Sequence, residues 1–146
     1  MKTAEEPIVV EQTFNVAPED LWKTVTEHER MLGWYFKEIP DFKAEIGFET
    51  RFDIECDGRV FPHRWKIVEV EPGRRIVYDW AYDGYDGRSG VSFEVSEADG
   101  GSKLTLTHKM TEDSSNDIPE FTREAGLEGW TWFICESLPN YLNKAG

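Results

Sequence analysis

The chain has 146 residues, enough for one domain with a real hydrophobic core, and residues 1–146 are read as a single domain. Its 29 acidic residues against 16 basic ones give a formal charge of -13, which repels phosphate backbones and anionic lipid surfaces, so neither nucleic acid nor membrane is an expected partner. No apolar run approaches the roughly 20 residues that cross a bilayer, and the N-terminus lacks a signal-peptide core, so a cytoplasmic protein is expected.

In chain order, Ile8 to Val16 reads as a first strand. Ala17-Pro18-Glu19-Asp20 then signals a helix start, because Pro suits an early helical position and acids suit the first turn. Leu21, Trp22 and Val25 give that helix an apolar face. A break is expected near His28, with a short turn resuming through Met31, Leu32, Trp34 and Tyr35, since Gly33 weakens a continuous helix. Pro40 closes the segment.

From Phe42 the apolar period changes to two. Phe48, Thr50, Phe52, Ile54 and Cys56 share one face of a strand that turns back at Asp57-Gly58, a strong hairpin signal. Phe61, His63, Trp65 and Ile67 line the next strand, and Glu71-Pro72-Gly73-Arg74 turns it into Ile76, Tyr78, Trp80 and Tyr82. A loop from Asp83 to Ser89 leads to Val91, Phe93 and Val95, and Asp99-Gly100-Gly101 leads to Leu104, Leu106, His108 and Met110. Centring registers on these turns predicts one row across the sheet of Thr50, Trp65, Trp80, Phe93 and Leu106. The next row would hold Phe52, His63, Tyr82, Val91 and His108. Finally, Leu127, Trp130, Ile134, Leu138 and Tyr141 recur at helical spacing within Glu120 to Leu142, with Trp132 and Phe133 widening the face. Pro139 inside this helix predicts a kink between Cys135 and Pro139.

Aromatic residues make up 14% of the chain, and their surfaces could either wall a cavity or fill it. Phe52, Trp65, Tyr78, Trp80 and Phe93 from the sheet, with Trp130, Phe133 and Ile134 from the helix, are the candidate walls of a site for an apolar or aromatic ligand. His63, Tyr82 and His108 are its candidate polar contacts. The two imidazoles are also weak catalytic candidates, because imidazole titrates near neutral pH. Three strand spacings of ~4.8 Å put them about 14 Å apart, so each would act alone, His63 with Tyr82 as hydrogen-bond partner. Cys56 and Cys135 are too few for a disulfide framework and are expected to be reduced and buried, and neither has the cationic neighbour or obvious base of a reactive thiol. No metal-ligand spacing, phosphate loop or nucleophile elbow is present, and no cofactor is expected. Acidic clusters at Glu19 to Glu29 and Glu112 to Glu120 read as solvated surface that could meet a basic partner.

Five phrases carry a family resemblance: Ala17-Pro18 with Leu21-Trp22; Gly47-Phe48; Val68 to Tyr78 through Trp80; Ser102 to His108; and Gly129-Trp130 with Leu138 and Tyr141-Leu142. Together and in this order, the chain resembles the START-like or SRPBCC superfamily, and within it the family named for the activator of the heat-shock protein 90 ATPase. The resemblance implies an α+β helix-grip fold, a curved antiparallel sheet of about seven strands (β-α-α-β6-α) around a long C-terminal helix, often with a hydrophobic cavity between them. It implies little about chemistry, because relatives include lipid carriers, hormone binders, cyclases and co-chaperones. Binding of a small hydrophobic ligand is therefore the leading expectation, by a monomer or homodimer. A chaperone-interaction module and a cyclase or hydrolase using His63 or His108 are the alternatives. Against the chaperone role, the chain lacks the separate N-terminal domain of eukaryotic co-chaperones in the family.

Overall fold

A computed structural model describes residues 1–115 and 117–145. The alternating segments form six antiparallel strands: β1 (Ile8–Phe14), β2 (Glu49–Cys56), β3 (Arg59–Glu71), β4 (Arg75–Tyr82), β5 (Arg88–Ala98) and β6 (Gly101–Glu112). They lie in the order β1-β6-β5-β4-β3-β2, and β1 and β2 do not pair, so the curved sheet remains open. The expected count was about seven. Among the described residues five strands, not six, follow the helices, because the chain between Phe42 and Gly47 reaches the sheet through bends. Its one early tie is Gly47 N–H to Ile67 O at 2.8 Å.

Asp57 and Gly58 both adopt left-handed backbone, φ 50° and 81°, as the two-residue hairpin between β2 and β3 requires. The expected pairs Thr50 with Trp65, Phe52 with His63, His63 with Tyr82 and Trp65 with Trp80 are present, as are Phe93 with Leu106 and Val91 with His108. The link between β4 and β5 is not as expected: Trp80 faces Ser89, and Phe93 faces Ile76. The reason is the loop, which ends at Gly87, so that Arg88 already belongs to β5 and the strand slides by four residues. His108 is thereby aligned with Val91 and Tyr78 rather than with Tyr82 and His63.

On the concave side lie α1 (Pro18–Thr26) and α2 (His28–Trp34). Pro18 opens α1 as expected, and the break falls at Glu27, whose backbone is extended. Gly33 lies inside α2 and does not end it. A β-carbon there would sit 2.3 Å from the Tyr141 ring, so glycine is required by close helix packing rather than by a break. The Trp34 indole donates to Thr24 O at 2.9 Å, tying α2 to α1.

The terminal segment opens with a 3-10 turn (Pro119–Phe121), followed by α3 (Arg123–Trp132), a π-turn (Phe133–Ser137) and α4 (Leu138–Ala145). Thr122 caps α3, its hydroxyl accepting from Ala125 N–H at 3.2 Å. The disturbance expected near Pro139 takes the form of the π-turn, in which Leu138 N–H bonds Phe133 O, five residues back. Trp130, Ile134 and Leu138 are buried, whereas Leu127 and Trp132 are exposed and do not belong to the gripping face. No helix among the described residues is long and apolar enough to cross a membrane.

Candidate functional site

The two residues that follow α2 decide how much of the space under the sheet is open. Tyr35 enters the grip, stacking on Trp34 and Trp65 with centroids 4.6 Å and 5.3 Å apart, and meeting Phe93 and Phe133 edge-on. Its hydroxyl pairs with that of Tyr78 at 3.0 Å, and burial pushes both groups up, so both stay protonated. Trp65, Tyr78, Phe93 and Ile134, expected as cavity walls, are instead fully buried around this plug and do not line the cavity beside it. Phe52 packs on His63 and Phe36, also away from the opening.

What remains is a cavity of about 150 Å³ between the sheet and the start of α3. Six of the expected site residues border it: His63, Trp80, Tyr82, His108, Trp130 and Phe133. Sequence reasoning missed Phe36, the segment from Asp86 to Ser89 that ends the loop and opens β5, and Gly126 and Gly129, which bare the helix where the cavity lies. A β-carbon at Gly129 would meet nothing within 4 Å, so this glycine contributes open space. Two glycines three apart on a predicted helix were the available signal. Gly87, at φ +108°, lies against Ser114, where a β-carbon would come within 2.5 Å, and this closes the loop over the cavity.

Both imidazoles are held by protein groups. His63 Nδ1–H donates to Phe61 O at 2.8 Å, and His108 Nδ1 accepts from Trp130 Nε1–H at 2.8 Å. Desolvation pushes His63 down to about 4 against the opposing pull of the Phe61 carbonyl and Asp53. His108 is also pushed down to about 4, first by burial and then by the chain's terminal ammonium. Both are therefore neutral at pH 7. Tyr82 is pushed up to about 12 by burial, with the Trp80 indole beside its hydroxyl drawing it back. That indole makes no hydrogen bond of full geometry, so its contact with Tyr82 is loose.

The expected pairing of Tyr82 with His63 is not a hydrogen bond: the rings meet edge-on at 4.7 Å. Trp80 lies between the imidazoles, 5.4 Å from His63 and 6.2 Å from His108, so they form no direct pair. No carboxylate hydrogen-bonds either ring among the described residues. Three of the charged groups around the cavity, Arg88, Glu120 and the Met1 ammonium, are engaged, and Asp86 borders it as well. Arg88 binds Asp79 at 3.0 Å, Arg59 binds both oxygens of Glu120 at 3.0 and 3.1 Å, and the Met1 ammonium donates to Ser114 Oγ and Phe121 O, each at 2.6 Å.

Cys56 is exposed, not buried, because it ends β2 beside the hairpin, and Cys135 is half-buried; neither is in a disulfide. Folding brings Cys56, Asp57 and Glu120 together, a donor set that sequence spacing did not reveal. A cation there would have to displace Arg59 from Glu120 and deprotonate a thiol whose pKa burial and neighbouring acids raise.

Among solved structures, the protein MLL2253 from Mesorhizobium loti is similar over 97% of this chain and 99% of its own, with 28% identity and a TM-score of 0.73. The Aha1 dimer from Colwellia psychrerythraea shares the fold at 14% identity and a TM-score of 0.67, covering 93% of this chain and 95% of its own. DynU16, from the dynemicin biosynthetic locus, shares it at 20% identity and a TM-score of 0.75, with 97% of this chain matching 48% of that one. No curated protein matches. Residues 15–143 match the family described as "Activator of Hsp90 ATPase homolog 1-like protein", and the chain belongs to that family.

Proposed function

We propose that this chain binds one small, largely apolar ring-containing molecule in the cavity between the sheet and α3, without a covalent cofactor. The observation that carries the reading is a cavity of about 150 Å³ walled by Phe36, Trp80, Trp130 and Phe133, with His63, Tyr82 and His108 as polar contacts. Tyr35 already fills the deeper space, so lipids and sterols are too large and a single ring is the right scale. Residues 1–146 act as one domain in this reading, in the cytoplasm. Thermal unfolding against a panel of monocyclic compounds and lipids tests it, since a ligand that binds only the native state raises the midpoint. Stabilisation by monocyclic compounds alone is expected; a shift with none of them would sink the proposal.

A second reading, as a chaperone-interaction module, is favoured by the family and by the likeness to an Aha1 dimer. Its test is an ATPase assay with a heat-shock protein 90, alongside light scattering to distinguish monomer from homodimer. Unchanged ATPase turnover at micromolar concentrations of this chain would count against it.

A further inference from the structure

We infer that the cavity selects a non-anionic single-ring molecule carrying two separate groups, a hydrogen-bond donor for His63 Nε2 and an acceptor for His108 Nε2–H. This rests on the ligand-binding reading and sharpens it. The two imidazoles are locked in opposite tautomers by partners that cannot change role. A backbone carbonyl only accepts, so His63 must carry its proton on Nδ1 and presents Nε2 as a bare lone pair. An indole N–H only donates, so His108 must leave Nδ1 bare and carry its proton on Nε2. Both residues border the cavity at 5% and 8% exposure, and neither Nε2 has a partner among the described residues.

Neither Nε2 is among the fully buried unpartnered atoms, so water reaches both, and a ligand that displaces that water gains where its group matches the nitrogen's role and loses where it does not. Their separation matters as well. Trp80 stands between the two rings, so one small group cannot serve both, and the donor and acceptor belong on different parts of the ligand. Size follows from volume: about 150 Å³ is the space that holds one benzene ring, so the part of the ligand inside the cavity is one ring with small substituents. Exclusion of anions follows from the charges: Arg88 is bound to Asp79, the Met1 ammonium donates to Ser114 and Phe121, and the carboxylates of Asp86 and Glu120 also border the cavity, so an anionic ligand meets acids and no uncommitted cation.

Calorimetric titration of the whole chain tests this with five compounds: 4-hydroxyacetophenone, acetophenone, 4-ethylphenol, ethylbenzene and 4-hydroxybenzoate. The first is expected to bind roughly ten- to a hundred-fold tighter than each of the others. In His63→Phe its advantage over acetophenone should vanish. Equal affinity for the four neutral compounds overturns the inference while the cavity reading survives. Tightest binding of 4-hydroxybenzoate overturns the exclusion of anions, and binding of none overturns both readings. Long-range nitrogen NMR provides a test that needs no variant: His63 should appear as the Nδ1–H tautomer and His108 as the Nε2–H tautomer. Matching tautomers would refute the assignment.

Discussion

Trp130 has two duties that separate in substitution. Its ring packs on Tyr35, Trp80 and Phe93 with centroids 6.0, 5.5 and 6.0 Å away, and its N–H holds His108. Trp130→Phe keeps most of the ring and removes the donor, so about 1 to 2 kcal/mol should be lost, with His108 released to exchange tautomers. Trp130→Ala should cost about 3 to 5 kcal/mol, because it also opens a hole beside Tyr35. Urea titration measures both losses, and an unperturbed nitrogen spectrum for His108 in Trp130→Phe would contradict the holding role. None of this pairing was legible in the sequence. Both residues could be read as facing inward, but contacts between a helix and a sheet depend on how the helix is laid, which periodicity leaves open.

Among the elements, α2 and α4 meet most closely where Gly33 faces Tyr141. Alanine is the better helix former by about 1 kcal/mol, so propensity alone would make Gly33→Ala stabilising. The phenol ring lies where the new methyl must go, and overpacking costs about 1 to 3 kcal/mol. A net loss is therefore expected, and Gly33→Ala combined with Tyr141→Ala should show the non-additivity of touching sites in denaturant titrations. Additive losses would mean that the two helices separate easily. The strands were legible because alternation and the turn at Asp57-Gly58 speak locally. The β4 to β5 register was not, since Ser89 and Gly90 do not announce a strand and the loop could be read as two residues longer. Tyr35 and Phe36 were missed as a plug for a related reason: they follow a helix, and periodicity gives no direction for what comes after its end.

For the molecule as a whole, the buried neutral histidines set the response to acid. Unfolded imidazole binds a proton near pH 6.5, whereas His63 and His108 resist protonation down to about 4. Between those values the unfolded chain holds more protons than the folded one, so stability must fall as pH is lowered through this window. The loss approaches about 3 kcal/mol for each histidine once pH reaches the lower end. Urea unfolding at pH 7, 5.5 and 4.5 measures it, and replacing both histidines with Gln should flatten the decline. An equally steep decline in that double variant would place the acid sensitivity in the carboxylates. The fold class was legible at this scale, because five short phrases in the right order outweigh the weakness of each. The volume left open was not, because it is the small difference between the sheet's concavity and the bulk of the side chains that fill it.

The π-turn has one more consequence. Trp130, Ile134 and Leu138 are each four residues apart, and on a straight α-helix each such step would rotate the side chain about 40° away from the last. Bonds reaching five residues back put more residues into the turn and cancel that drift, so three residues that would spiral out to solvent are all buried. The terminal segment thus behaves as an ordinary helix carrying one surplus residue. Relatives one residue shorter between Phe133 and Ser137 could present the same face with no π-turn at all, and an alignment gap there would mark a change in helical phase rather than a lost element.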